Sequence, residues 1–191
     1  MKKYLILVIT AVVSSAAIAF AADSATIVRK GNALYKQQKY GDALKLYDKA
    51  LEKQPDSSII HFNKGASQFK AEDFEAAIGS FEKASATQDR SLEAKANYNL
   101  ANSKYKLGQS RKESDLASAV SLLGEALERY RRAIELDPKD NDAKLNYELV
   151  EKEYRDLKQK LEQQAKEQQG QEQQAKEQQG QEQQAKEQQG Q

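Results

Sequence analysis

The chain has 191 residues, enough for one modest domain with additions. Its 30 Lys and Arg balance 29 Asp and Glu, so it carries no global field for nucleic acid or an anionic lipid surface. It has no cysteine, which excludes disulfides, thiolate metal sites and a lipobox, and one histidine, His61.

Met1-Lys2-Lys3 is a short basic start, Tyr4 to Val13 is apolar apart from Thr10, and small residues follow. Ala19-Phe20-Ala21 fits the small-x-small cleavage pattern, so residues 1–21 are expected to be a secretory signal peptide. The mature chain would then begin at Ala22, with export to the periplasm in a bacterium. The alternative is an uncleaved anchor in the inner membrane. The uncharged stretch Tyr4–Ala22 has 19 residues, just enough to span, although its second half is mostly Ser and Ala and inserts weakly.

Next comes self-similarity. Gly31 returns as Gly65, 34 residues on, and Tyr40, Ala43, Tyr47 and Ala50 return as Phe74, Ala77, Phe81 and Ala84 at the same offset. Two repeats, 24–57 and 58–91, are expected. A third, 94–140, is stretched: Ala101 follows Gly65 by 36 residues, whereas Ala126, Tyr130 and Ala133 follow their counterparts by 49. Thirteen residues are therefore inserted near 110–122. Each repeat reads as a helical hairpin, with small residues where the two helices approach and an aromatic ring filling the space beyond. Pro55 and Pro138 end the second helix of repeats one and three, and Asp89 stands at that place in repeat two. Asp115 to Leu136 reads as one long helix, extended by roughly 12 Å. Leu116 and Val120 on that extension need cover, from the final helix or from a partner.

From Asn141, Ala143, Tyr147, Val150, Tyr154, Leu157 and Leu161 are spaced 4, 3, 4, 3 and 4, a heptad seam. Residues 141–161 are expected to cap the third repeat. The alternative gives Tyr154, Leu157 and Leu161, with Leu116 and Val120, to a partner or to a homo-oligomer. Residues 162–191 are EQQAKEQQGQ three times, with no aromatic or branched apolar residue, and are expected to be a disordered extension.

The runs GNALYKQQKYGDALKLYDKALEKQP, NKGASQFKAEDFEAAIGSFEKA, and NYNLANSKYKLG joined to EALERYRRAIELDP resemble the tetratricopeptide repeat. The resemblance implies an all-α, right-handed solenoid of three hairpins plus a capping helix, serving protein–protein interaction. A narrower likeness is to the tetratricopeptide proteins of bacterial aerotolerance (Bat) operons. It rests on the stretched third repeat, DPKDNDAKLNYELVEKEYRDLKQK and the glutamine-rich tail, and implies work beside membrane proteins with von Willebrand A domains.

No catalytic constellation is present. His61 is the sole imidazole and stands where this fold packs an aromatic ring, with no triad partner in sequence. No His or Cys pair suggests a metal, no glycine loop cradles phosphate, and neither a cofactor nor a small-molecule substrate is expected. Asp137, Asp140 and Asp142 read as helix-capping acids.

The resemblance puts the first helices on the inner face. Val28 and Tyr35, Phe62 and Phe69, and Tyr98 and Tyr105 are each seven apart and share a face. With Asn32 and Asn102, whose amides can bond an extended backbone, they are the expected groove for a peptide or partner domain, including a membrane-anchored one. Chaperone-binding members of the family grip a terminal carboxylate with two cations and asparagines. Asn32, Asn63 and Lys95 match three of those five places, but Val28 and Asn99 occupy the others. Carboxylate capture is therefore not expected.

Overall fold

The computed structural model describes residues 23–189, with side chains as far as 174. The expected signal peptide, residues 1–21, lies outside them. Among the described residues, seven helices follow one another: α1 over residues 23–36, α2 Tyr40–Leu51, α3 Ser58–Lys70, α4 Phe74–Ser85, α5 Arg90–Arg111, α6 Leu116–Leu136 and α7 Asn141–Gln189. No strand occurs among the described residues. Consecutive helices pack on one another, and α3 also touches α5, so three hairpins stack into an all-α solenoid with α7 on its end.

Small residues bring the hairpins together. A methyl group added at Gly31 would stand 2.7 Å from the Tyr47 ring, and one at Gly65 would stand 2.9 Å from Phe81. Ala43, Ala50, Ala77, Ala84, Ala101 and Ala126 are fully buried, and Tyr47, Phe81 and Tyr130 are the large side chains sealed beside them. The turns of the first two hairpins share one backbone device. Gln38 and Glu72, 34 residues apart, both adopt the left-handed conformation with φ near 60°. A side chain tolerates that region poorly, so the interhelix turns there carry modest strain.

Helices α4 to α7 start at acid caps. Asp73, Asp115 and Asp140 accept from the amides of Ala76, Ser118 and Ala143. Asp89, at the place of a proline, accepts from Ser91 and Leu92 and opens α5. α6 has no cation in its own last turn. Arg90 supplies one by donating to the carbonyls of Glu135 and Leu136, which satisfies orphan acceptors at the negative end of the helix.

The third repeat differs from its expected form in where the extra length goes. Aligned on the second repeat, five of the thirteen residues lengthen α5, seven lengthen α6 and one widens the turn. α5 runs through Gly108 because that position meets the side chain of Leu123 on α6. A Cβ there would stand 2.5 Å from Leu123.

For the C-terminal region one alternative is set aside and one expectation is corrected. Leu116, Val120, Tyr154, Leu157 and Leu161 do not form an open partner surface. Leu157 is buried in the third-repeat core, Leu116, Val120 and Tyr154 pack against that core, and Leu161 is half-buried. The heptad face of α7 closes on the chain's own α6, because the longer α6 presents apolar residues that repeat two is too short to cover. The tail, expected to be disordered, continues α7 to Gln189. Its Ala, Lys, Glu and Gln are strong helix formers, which outweighs the cost of about 1 kcal/mol for a single helical glycine.

Candidate functional site

The inner wall is formed by α1, α3 and α5, with α7 in the place a fourth first helix would take. Two open recesses lie along it. The first, 310 Å³, is lined by Asn32, Tyr35, Lys36, Tyr47, Phe62, Asn63 and Ala66. The second, 290 Å³, is lined by Phe69, Asn102, Tyr105, Lys106, Tyr130, Asn146 and Leu149. Six of the eight expected groove residues thus line recesses: Asn32, Tyr35 and Phe62 the first, and Phe69, Asn102 and Tyr105 the second. Val28 packs against the core of repeat one, and Tyr98 meets Tyr130 edge-on at 6.0 Å, so neither lines a recess.

The aromatic side chains serve both the wall and the interior. Phe62 sits edge-on to Phe81 at 5.7 Å, Phe69 to Phe74 at 5.4 Å and Tyr35 to Tyr40 at 5.5 Å. Each inner ring is locked by a ring on the paired helix and offers its remaining surface to the groove. Such fixed rings cost a guest little ordering of the wall.

The asparagines are not the free donor–acceptor clamps that their spacing suggested. Tyr47 donates its hydroxyl to Asn32 Oδ1 at 2.7 Å, and Tyr130 donates to Asn102 Oδ1 at 2.5 Å. In repeat two the same two places hold Ala66 and Phe81, so the amide and the hydroxyl vanish together. The reason is the cost of an unpaired polar group in a buried position. Burial pushes the Tyr47 phenol up to about 12, and it raises Tyr130 as well. Each asparagine keeps its NH2 for a guest carbonyl.

The second recess has a further tie. Glu153 of α7 accepts from Tyr105 Oη at 3.1 Å, Gln109 Nε2 at 2.5 Å and Lys112 Nζ at 3.0 Å. Burial would raise its pKa, but hydrogen bonds from Gln109, Lys112 and Tyr105 and the Lys112 charge outweigh that and hold it below the ordinary carboxylate range. Asn146 Nδ2 lies 3.1 Å from Tyr98 Oη and 3.4 Å from Asn102 Oδ1. Glu153 and Asn146 bind α7 to α5, and Leu149 is left half-exposed at the lip, at 53%.

His61, the sole histidine, is buried with Nε2 2.8 Å from the Pro55 carbonyl, at the joint between repeats one and two and away from both recesses. Among the described residues, no three His, Cys, Asp or Glu side chains gather where a metal ion could be held. Sequence reasoning missed Lys36, Lys106, Asn146 and Leu149. The two lysines directly follow Tyr35 and Tyr105, so their recurrence was visible at the same offset. Asn146 and Leu149 needed the placement of α7.

Residues 28–91 match the family model described as Tetratricopeptide repeat. The Hsp70-Hsp90 organising protein of Plasmodium falciparum is 37% identical over 49 residues, 26% of this chain and 9% of that protein. The chain thus matches a small part of that relative's length. Among solved structures, the first such domain of Spaghetti (RPAP3), bound to HSP90 peptide SRMEEVD, is similar with a TM-score of 0.57. It is 22% identical, over 68% of this chain and 90% of that one. The Sgt2 domain of Aspergillus fumigatus has a TM-score of 0.59 and 20% identity, over 72% and 82%. At these identities the likeness is one of fold.

Proposed function

We infer the function from one premise, that the chain is a tetratricopeptide-repeat protein. It serves as a non-enzymatic scaffold that binds an extended peptide segment or partner domain along its inner wall. The observation that carries this is the pair of open recesses, lined by rings fixed from behind and by amide groups with donors to spare. The Spaghetti domain, of the same fold, was solved with a peptide bound, which supports reading the wall as a peptide site. The guest is not held as a terminal carboxylate. Val28 and Asn99 stand where other cationic groups would be, which leaves Lys95 as the one cation, and Asn99 Nδ2 donates back to the Lys95 carbonyl.

On this reading the scaffold works in the bacterial cell envelope and is released to the periplasm after cleavage at Ala21, which the leader pattern supports. The Bat-type likeness gives it a membrane partner with a von Willebrand A domain. A homo-oligomer built through α7 is disfavoured, since the heptad face is spent on α6 and no branched apolar residue follows Leu161. The test is Tyr35→Ala with Tyr105→Ala, which should abolish co-purification of envelope partners while helicity is unchanged. Partners retained at wild-type level would refute the groove. An exported species whose intact mass still includes residues 1–21 would refute cleavage.

A further inference from the structure

The two recesses are the same site built twice. Asn32, Tyr35 and Lys36 recur as Asn102, Tyr105 and Lys106, seventy residues later, and in both the asparagine is held by a tyrosine of the paired helix, Tyr47 or Tyr130. The opposite wall recurs too. Asn63 and Ala66 of α3 correspond to Asn146 and Leu149 of α7 at the same offset that relates Pro55 to Pro138. Repeat two interrupts the series, because Ala66 and Phe81 replace the asparagine and its tyrosine.

The charge pattern is one-sided. Among the described residues, each recess has one lysine, Lys36 or Lys106, exposed and in no ion pair, and neither recess is lined by a carboxylate. α3, which lies between them, contains no acidic residue. Glu72 stands in the adjoining depression beside Lys70 and Lys106, and Glu153, next to Tyr105, is already taken by Lys112 and Gln109. A carboxylate arriving at either recess therefore meets a cation with no competitor in the lining.

On the reading of the wall as a peptide groove, we propose that its guest is an extended acidic segment presenting one pair twice. The pair is an apolar side chain, which enters the recess, next to a carboxylate, which meets the lysine. Helices pack about 8–10 Å apart. Two such steps put the recesses roughly 16–20 Å apart, or about five or six residues of extended chain at ~3.3 Å each. One chain carrying both anchors gains over either alone because the second contact is intramolecular.

The experiment is selection of random 16-residue peptides displayed on phage against the full chain. The expected winners carry two acidic–apolar pairs about five or six residues apart. A synthetic winner should bind about tenfold or more weaker when one pair is replaced by Gly-Ser. Lys36→Glu should erase the acid preference at one anchor and Lys106→Glu at the other, each lowering affinity roughly fivefold, and more at low salt. Winners with a single anchor, or without acids, overturn the tandem site but leave the groove. Failure to enrich any peptide, or winners whose binding survives Tyr35→Ala with Tyr105→Ala, overturns the groove as well.

Discussion

The recess between α1 and α3 and the recess between α5 and α7 use the same side chains in the same order, and they differ in what faces them. In the first, Tyr35 packs on the repeat-one core and meets Tyr40 edge-on, and the opposite wall is a complete repeat, backed by α4. In the second, Tyr105 is tied through Glu153 to α7, a lone helix with nothing stacked beyond it among the described residues. The first recess is as firm as the repeats themselves. The second is as firm as the docking of α7. A repeated motif thus fixes the chemistry of a site, while the next helix along decides how easily that site can open.

The comparison can be broken by loosening α7 alone. Leu157→Ala removes a buried side chain from the third-repeat core and should cost about 2–5 kcal/mol by urea unfolding. Hydrogen exchange should quicken in α7 and α5 and stay unchanged in α1 to α4. Equal quickening at both ends would mean that the two recesses do not differ in this way.

Glu153→Gln is the milder version. It removes the charge that holds Lys112 and should cost roughly 1.5–3 kcal/mol near neutral pH. Because the folded Glu153 lies below its unfolded pKa, its contribution is present above the ordinary carboxylate range and is lost as pH falls through the folded value. Wild type should therefore converge on the variant in acid. A difference that persists at the lowest pH would contradict the charge account.

The asparagine–tyrosine latch is a third test, and repeat two shows its outcome in nature. Tyr47→Phe and Asn32→Ala should each cost about 1 kcal/mol, and together less than their sum, since the double variant reproduces the Ala66–Phe81 pair. The Tyr47 phenol is raised to about 12 in the folded chain, so its stabilisation is complete below about pH 10, the ordinary tyrosine value, and is lost as pH climbs through 12. Tyr47→Phe should flatten that alkaline loss. The smallest effect is expected at Lys36. Lys36→Glu lies on the exposed lip and should change stability by less than about 0.5 kcal/mol, which keeps any binding defect separate from folding.

Much of this was legible from spacing alone. The offsets of 34, 36 and 49 residues located three hairpins, and the close approach of Gly31 to Tyr47 and of Gly65 to Phe81 follows from the small-residue pattern. The division of the insertion was hidden because Gly108 looks like a helix stop, whereas it is a contact point for Leu123. The asparagines line the recesses, but their bonds to tyrosine join residues 15 and 28 positions apart, beyond any local pattern. The paired change of Asn32 and Tyr47 to Ala66 and Phe81 was the available signal. The tail was judged by its lack of a core, and helix propensity alone was enough to carry α7 onward.

That the inner wall grips a guest is tested most directly by a photo-crosslinking residue at Ala66, inside the first recess, compared with one at Gly79, which faces open space on α4. With the protein in native envelopes, the account predicts a discrete adduct from position 66 and none from position 79. An adduct from position 79 alone, or equal labelling at both, would contradict it.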